Sequence, residues 1–192
     1  KAIQTVIDVT KDMKPWLTTM PSVRIEHASL MTDQMFAEIA NSEMNYALVT
    51  QPIFFFAEDE SYRHYLSPAQ FKLAYRVKTM LNSQAMLGLS SDAPCTPWAE
   101  PDSPFYSIYA AVTRKAANDD VVNAEEAITV PQAILGYTRD GAKIGGFDDN
   151  GTLEVGKAAD FVILNDDIFT VPHDDLKNIH VNETWMAGKR VK

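Results

Sequence analysis

Three short apolar runs, each ending in polar residues and each followed by a separate stretch, restrict this chain more than any other feature. They are Val23-Arg24-Ile25-Glu26-His27, Tyr46-Ala47-Leu48-Val49-Thr50 and Ala85-Met86-Leu87-Gly88-Leu89-Ser90. Strand-length runs that alternate with helical segments predict parallel βα units rather than hairpins. The third run is apolar almost throughout, as a parallel strand buried on both faces requires. Helical spacing carries the segments around them. Ile3, Val6, Ile7 and Met13 share one side over 2–14, until Pro15 stops the pattern. Met31, Met35, Phe36 and Ile39 do the same around 32–42. Phe71, Leu73, Tyr75, Val77, Met80 and Leu81 predict a helix over 68–83, with Pro68 near its start. After Pro52 the sequence reads as a long connection, with Phe54, Phe55 and Phe56 and then Glu58, Asp59 and Glu60. Pro97, Pro101 and Pro104 mark a loop, and helices are expected over 104–117 and 124–139.

The character changes at about residue 141. Gly141, Gly145, Gly146, Gly151 and Gly156 punctuate short segments, Phe161–Leu164 and Val181–Met186 read as strands, and Gly188-Lys189 reads as a hairpin turn. Two units are therefore expected: an α/β part over 1–140 and a β-rich tail over 141–192. A length of 192 residues with 46% hydrophobic content suffices for a sizeable core. The net charge of −9 argues against non-specific binding to nucleic acid, which needs clustered Lys and Arg. No apolar run reaches the length that spans a bilayer, since Val49 to Ala57 is short and contains Gln51 and Pro52. The expected partner is thus a small-molecule substrate, not nucleic acid or a membrane. The single cysteine, Cys95, allows no internal disulfide and is read as a structural thiol. That usage fits a reducing compartment, so a cytoplasmic location is expected. The chain opens at Lys1 directly in helix-like sequence, and a further N-terminal portion is expected.

Two residues stand where chemistry could occur. His27 closes the first apolar run, and a neutral imidazole there can ligate a divalent metal, zinc being the commonest case. A rim histidine with one satisfied hydrogen bond is the plainer alternative. Asp92 follows the third run, where a carboxylate can bind metal and take a proton from a metal-activated water. An Asp turn ahead of Pro94 is its plainer alternative. Ser90, Ser91 and Cys95 lie close by, but no Gly-x-Ser-x-Gly elbow accompanies them, which speaks against a nucleophilic Ser or Cys hydrolase. His64, His173 and His180 lack ligand-like spacing and are read as surface or structural. Two ligand candidates alone do not make a metal site.

Several segments together resemble one family. Arg24-Ile25-Glu26-His27-Ala28, Leu89-Ser90-Ser91-Asp92-Ala93-Pro94, Tyr109-Ala110-Ala111-Val112-Thr113-Arg114, Gly151 to Leu164 and Thr184 to Val191 resemble, in order and spacing, the amidohydrolase superfamily. Within it they are similar to the YtcJ-like group related to N-substituted formamide deformylase. The resemblance implies a (β/α)8 barrel plus a small β-sandwich built from both chain ends. It also implies one or two divalent ions, zinc first, and hydrolysis of a non-peptide carbon–nitrogen bond. By that resemblance His27 is a metal ligand at the end of the sixth barrel strand. Asp92, at the end of the eighth, contacts metal and shuttles the proton. Residues 1–140 then hold strands six to eight of the barrel, and 141–192 contribute to the composite sandwich.

The family's first-strand His-x-His pair, its fourth-strand bridging residue and its fifth-strand histidine are absent from this sequence. Ser90 stands where many relatives have Gly. Three strands cannot close a barrel, which takes about eight. This chain alone is therefore expected to be inactive and to associate with itself or with an N-terminal portion of the same protein. The alternative is a non-catalytic member of the fold that acts as an interaction module. Aromatic residues after Pro52 hint at an apolar group on the substrate.

Overall fold

A computed structural model describes residues 1–95 and 100–192. Pro97, within the expected proline-rich loop, lies outside the described residues. The three apolar runs form one parallel sheet of strands β1 (Val23–Glu26), β2 (Tyr46–Thr50) and β3 (Met86–Leu89), in the order β1-β2-β3. Val23 pairs with Tyr46, and Ala47 with Met86, and the register holds to the strand ends. β2 lies in the centre and is buried at every position, whereas β1 alternates, with Val23 and Ile25 inside and Arg24 and Glu26 outside. Among the described residues β1 and β3 have no further strand partner.

The helices follow local chemistry. Helix α1 (Ala2–Thr10) ends earlier than the periodicity suggested, well before Pro15, and its Gln4 amide donates to Glu38 at 2.7 Å. Helix α2 (Asp33–Ala40) begins at Thr32, whose hydroxyl accepts from the Met35 amide. The segment after Pro52 is a helix, α3 (Pro52–Tyr65), and not a long connection. Pro52 occupies its first turn, where no amide donor is needed, and a kink at Glu58 breaks the regular spacing that would have disclosed it.

The single helix expected over 68–83 is two short ones, α4 (Pro68–Phe71) and α5 (Val77–Leu81). Between them Tyr75 takes a left-handed conformation with φ of 50°. Its amide donates to the Ser29 carbonyl at 2.9 Å, and its buried hydroxyl meets that of Tyr62 at 2.8 Å. Tertiary contacts here override a good local helical pattern. Glu126, buried, accepts from the Thr79 amide and hydroxyl at 2.8 and 2.6 Å and so holds the first turn of α5.

Helix α6 (Pro104–Thr113) ends at Arg114, again left-handed. The region expected as a helix over 124–139 divides into a 3₁₀ turn (Ala124–Glu126) and α7 (Val130–Tyr137), the latter opened by a Thr129–Gln132 capping box. Helix α8 (Arg139–Gly145) then runs through the point where the β-rich tail was expected to begin. It packs on β3, where Gly88 makes room: a Cβ there would lie 2.9 Å from Ile144 Cδ1.

The tail carries an antiparallel sheet of β4 (Phe161–Leu164), β5 (Val181–Met186) and β6 (Lys189–Arg190). Phe161 and Trp185 face each other across β4 and β5 and stack, with centroids 5.5 Å apart. The hairpin turn is Ala187-Gly188, one residue earlier than expected, with φ of 48° and 73° as a primed turn requires. A 3₁₀ segment (His173–Asn178) between β4 and β5 packs on α6, and Ile168, Leu176 and Ile179 join the main core. Among the described residues no helix is long and apolar enough to cross a membrane.

Candidate active site at the strand ends

Parallel pairing brings the C-terminal ends of all three strands to one side. His27 follows β1, Gln51 follows β2, and Ser90, Ser91 and Asp92 follow β3. With β2 between them, the ends of β1 and β3 lie two strand spacings apart, ~10 Å. His27 and Asp92 both take left-handed backbone conformations, with φ of 65° and 54°. Non-glycine residues rarely do this, so the chain turns sharply just where each strand delivers its polar residue.

Hydrogen bonds tie these ends together. His27 Nδ1 lies 3.2 Å from Gln51 Oε1, and Gln51 Nε2 donates to Ser90 Oγ at 2.8 Å. Gln51 is only 1% exposed, whereas the His27 side is open to solvent. Ser90 is fixed through its backbone: its amide donates to Thr50 O at 3.1 Å and its carbonyl accepts from the Tyr137 hydroxyl at 3.2 Å. Burial pushes the Tyr137 phenol above its ordinary range, so it remains a donor. The Ser91 hydroxyl donates to the Pro101 carbonyl. Phe54, on the first turn of α3, stacks against the His27 ring with centroids 6.2 Å apart.

Two donor groups remain unengaged. Among the described residues, neither His27 Nε2 nor the Asp92 carboxylate has a hydrogen-bond or ion-pair partner. An imidazole nitrogen and a carboxylate are suitable ligands for a divalent ion. Among the described residues, however, no three His, Cys, Asp or Glu side chains gather into a cluster. A catalytic zinc site takes three protein ligands. His27 and Asp92 therefore fit a metal as partial ligands and do not complete a coordination set.

Other sequence candidates lie apart or have other roles. Cys95, read as a structural thiol, is exposed. His64, His173 and His180 are exposed. Arg114 is buried. Its Nε donates to the Val122 carbonyl at 2.9 Å and its guanidinium lies 4.2 Å above the Phe55 ring. Burial pulls its pKa down to about 10, which leaves it cationic at neutral pH. Two surface concavities also lie elsewhere, one beside the middle of α3 and one between the start of α6 and residues 177–181.

Gln51 was not anticipated as a site residue. Its signal was positional: it follows the second strand as His27 follows the first, but Gln51-Pro52 reads equally well as a strand stop.

Polar side chains collected at the C-terminal ends of parallel strands are the arrangement of α/β enzymes, whose ligands bind at that edge. Comparison with known proteins narrows this class. The chain belongs to the amidohydrolase family, which it matches over residues 3–192. It is 25% identical over 189 residues to the N-substituted formamide deformylase of Arthrobacter pascens, which covers 97% of this chain and 34% of that protein. It is 28% identical over 172 residues to the amidohydrolase YtcJ of Bacillus subtilis (strain 168), covering 88% and 31%. A metal-dependent hydrolase structure from Pyrococcus horikoshii superposes with a TM-score of 0.72 at 29% identity, over 90% of this chain and 33% of that one. The chain thus spans about a third of the length of the curated relatives it matches.

Proposed function

We propose that this chain forms the C-terminal third of a metal-dependent hydrolase of non-peptide carbon–nitrogen bonds, with its active site at the ends of β1 to β3. One observation carries the reading: in a chain of this family, an imidazole nitrogen and a carboxylate that have no partner among the described residues follow two strands of one parallel sheet. His27 and Asp92 would hold a divalent ion, zinc suiting the imidazole and carboxylate best. When bound, such an ion supplies Lewis acidity and activates water for attack on the amide-type carbon. Asp92 carries a second role, because a carboxylate at this position can take a proton and pass it to the leaving nitrogen. Gln51, itself bonded to Ser90, and Phe54 contact the His27 ring. The parallel sheet is read as strands six to eight of a (β/α)8 barrel, and β4 to β6 as this chain's share of a composite sandwich.

The test is metal content and turnover of the complete protein beside this chain. The complete protein should retain about one or two ions per chain after dialysis, and this chain almost none. Asp92→Asn in the complete protein should lower kcat by about a hundredfold or more. Full turnover by metal-free protein, or by the Asp92→Asn variant, would overturn the reading. Because β1 and β3 have no further strand partner among the described residues, this chain alone should associate, and sedimentation as a clean monomer would count against the barrel reading.

A further inference from the structure

We propose that the left-handed turn at Tyr75 is a clamp that positions His27 by holding the strained backbone directly after it. Tyr75 is then a positioning residue, and the inference rests on the reading of the strand ends as the site. His27 and Ala28 are consecutive non-glycine residues with positive φ, 65° and 44°. Such a pair is costly for L-residues and persists only where its surroundings over-determine it. Gln51 and Phe54 meet the His27 ring but not its backbone. The Ala28 methyl makes no hydrogen bond, and the bond from the Ala28 amide to the Glu26 carbonyl, 2.8 Å, lies within the turn itself. The restraint comes from the next three residues. The Ser29 carbonyl accepts from the Tyr75 amide at 2.9 Å, Leu30 bridges to Ala74, and the Met31 carbonyl accepts from Arg76 Nη1 at 3.3 Å. Residues 29–31 are thus tied, one after another, to 74–76.

The clamp is itself held. Asn123 Nδ2 donates to the Phe71 and Ala74 carbonyls at 3.1 and 3.3 Å, and Arg76 pairs with Asp33 and Glu126. Tyr75 is left-handed too, with φ of 50°, where glycine or asparagine would sit at lower cost. A bulky residue in that conformation points to a need for its side chain. The buried ring lies 5.7 Å from the rings of Phe55 and Tyr62, and its hydroxyl meets the Tyr62 hydroxyl at 2.8 Å. Phe55 adjoins Phe54, which stacks on the His27 ring. One residue therefore grips the chain after His27 with its amide and packs its ring on the helical turn that carries the stacking partner of His27. With that anchor weakened, the 27–28 turn relaxes toward negative φ and the imidazole leaves Phe54.

Tyr75→Phe in this chain tests the clamp without metal, because it removes one hydroxyl and keeps the ring. Tyr62 is half-buried, so water can serve its hydroxyl in the variant. Two nuclear magnetic resonance readouts decide. Exchange of the residue-75 amide reports the bond to Ser29 and should quicken about three- to tenfold, the worth of one hydrogen bond. The His27 ring protons, assigned among four histidines by His27→Gln, should shift and show a weaker contact to Phe54. The signals of His173, His180 and the β2 amides should stay in place. A merely structural role would leave His27 unmoved or disturb β2 as well. Tyr62→Phe removes the same bond from the other side, should move His27 in the same direction, and decides the matter if Tyr75→Phe does not fold. A faster residue-75 amide with unmoved His27 signals would overturn the clamp, and so would an amide indifferent to both variants. If the complete protein binds no metal and His27 follows Tyr75, the clamp stands and the metal reading falls. Metal held by His27, with ring signals indifferent to Tyr75, keeps the metal reading and ends the clamp.

Discussion

The two sheets of this chain are buried in different ways. In the parallel sheet the central strand β2 is buried at all five positions, with both faces covered. In the antiparallel sheet Val162 is 49% exposed and its neighbour Ile163 44%. Adjacent residues on a strand point to opposite faces, so both faces of β4 meet solvent at its middle, although Leu164 at its end packs against the main core. The tail is held to the molecule less by its sheet than by the segment between β4 and β5, where Ile168, Leu176 and Ile179 enter the main core. The difference bears on function. His27, Gln51 and Ser90 follow strands that are fixed by packing, which a site requires if its donors are to keep their geometry. The tail carries no comparable group and is joined to that frame by a few apolar contacts.

Leucine truncation in each region should break the comparison most severely. Leu48→Ala in β2 and Leu176→Ala in the 3₁₀ segment both empty fully buried sites, and each should cost about 2–5 kcal/mol. Urea unfolding measures the cost, and hydrogen exchange locates it. Leu48→Ala should loosen the whole molecule, whereas Leu176→Ala should raise exchange over 161–192 before the parallel sheet responds. Equal exchange in both regions for both variants would mean that the chain is one cooperative unit and that the contrast is superficial. Two glycines sharpen the point. Gly88→Ala should cost about 1–3 kcal/mol because its Cβ meets Ile144 Cδ1, and Ile144→Val, which removes that atom, should recover part of it. Gly156→Ala has open space but a φ of 94°, so its cost, about 1–3 kcal/mol, is in the backbone and no neighbour can relieve it.

What the sequence disclosed follows the same division. The parallel sheet was legible because burial on both faces demands continuous apolar runs, and β1, β2 and β3 all lie within the expected segments. His27 and Asp92 were legible as strand-end residues, and the amidohydrolase family followed from ordered segments. The losses have physical causes. Helix α3 was hidden because three phenylalanines in succession show no helical period, and its kink at Glu58 broke what remained. The helix over 68–83 was wrongly read as continuous because Tyr75 is fixed by Ser29 and Tyr62, which are distant in sequence. Gln51 was missed because its role depends on His27 and Ser90, 24 and 39 residues away.

Smaller perturbations test how independent the tail is. Val162→Thr, at a half-exposed site, should change stability by no more than about 0.5 kcal/mol. A larger loss would show that something covers β4 in solution. The smallest effect concerns an ion pair between a residue just beyond α6 and the 3₁₀ segment: Lys115 and Asp174. The hydrogen bond from Lys115 holds the Asp174 carboxyl below its ordinary range, and the same bond raises Lys115. A depressed carboxyl pKa gives stability that is present above the unfolded value and lost as pH falls through the folded one. A raised lysine pKa gives stability that is present below its unfolded value and lost as pH rises through the folded one. The link should thus be intact between about pH 4 and pH 10 and fade outside that window. Both groups meet solvent, so the effect should be slight and should weaken with salt. Hydrogen exchange over 161–192 should quicken modestly below about pH 4, and Asp174→Asn should abolish that pH step while leaving exchange in β1 to β3 unchanged. If the parallel sheet shared the step, the two regions would be coupled through this pair, and the tail would be part of the frame that holds the site.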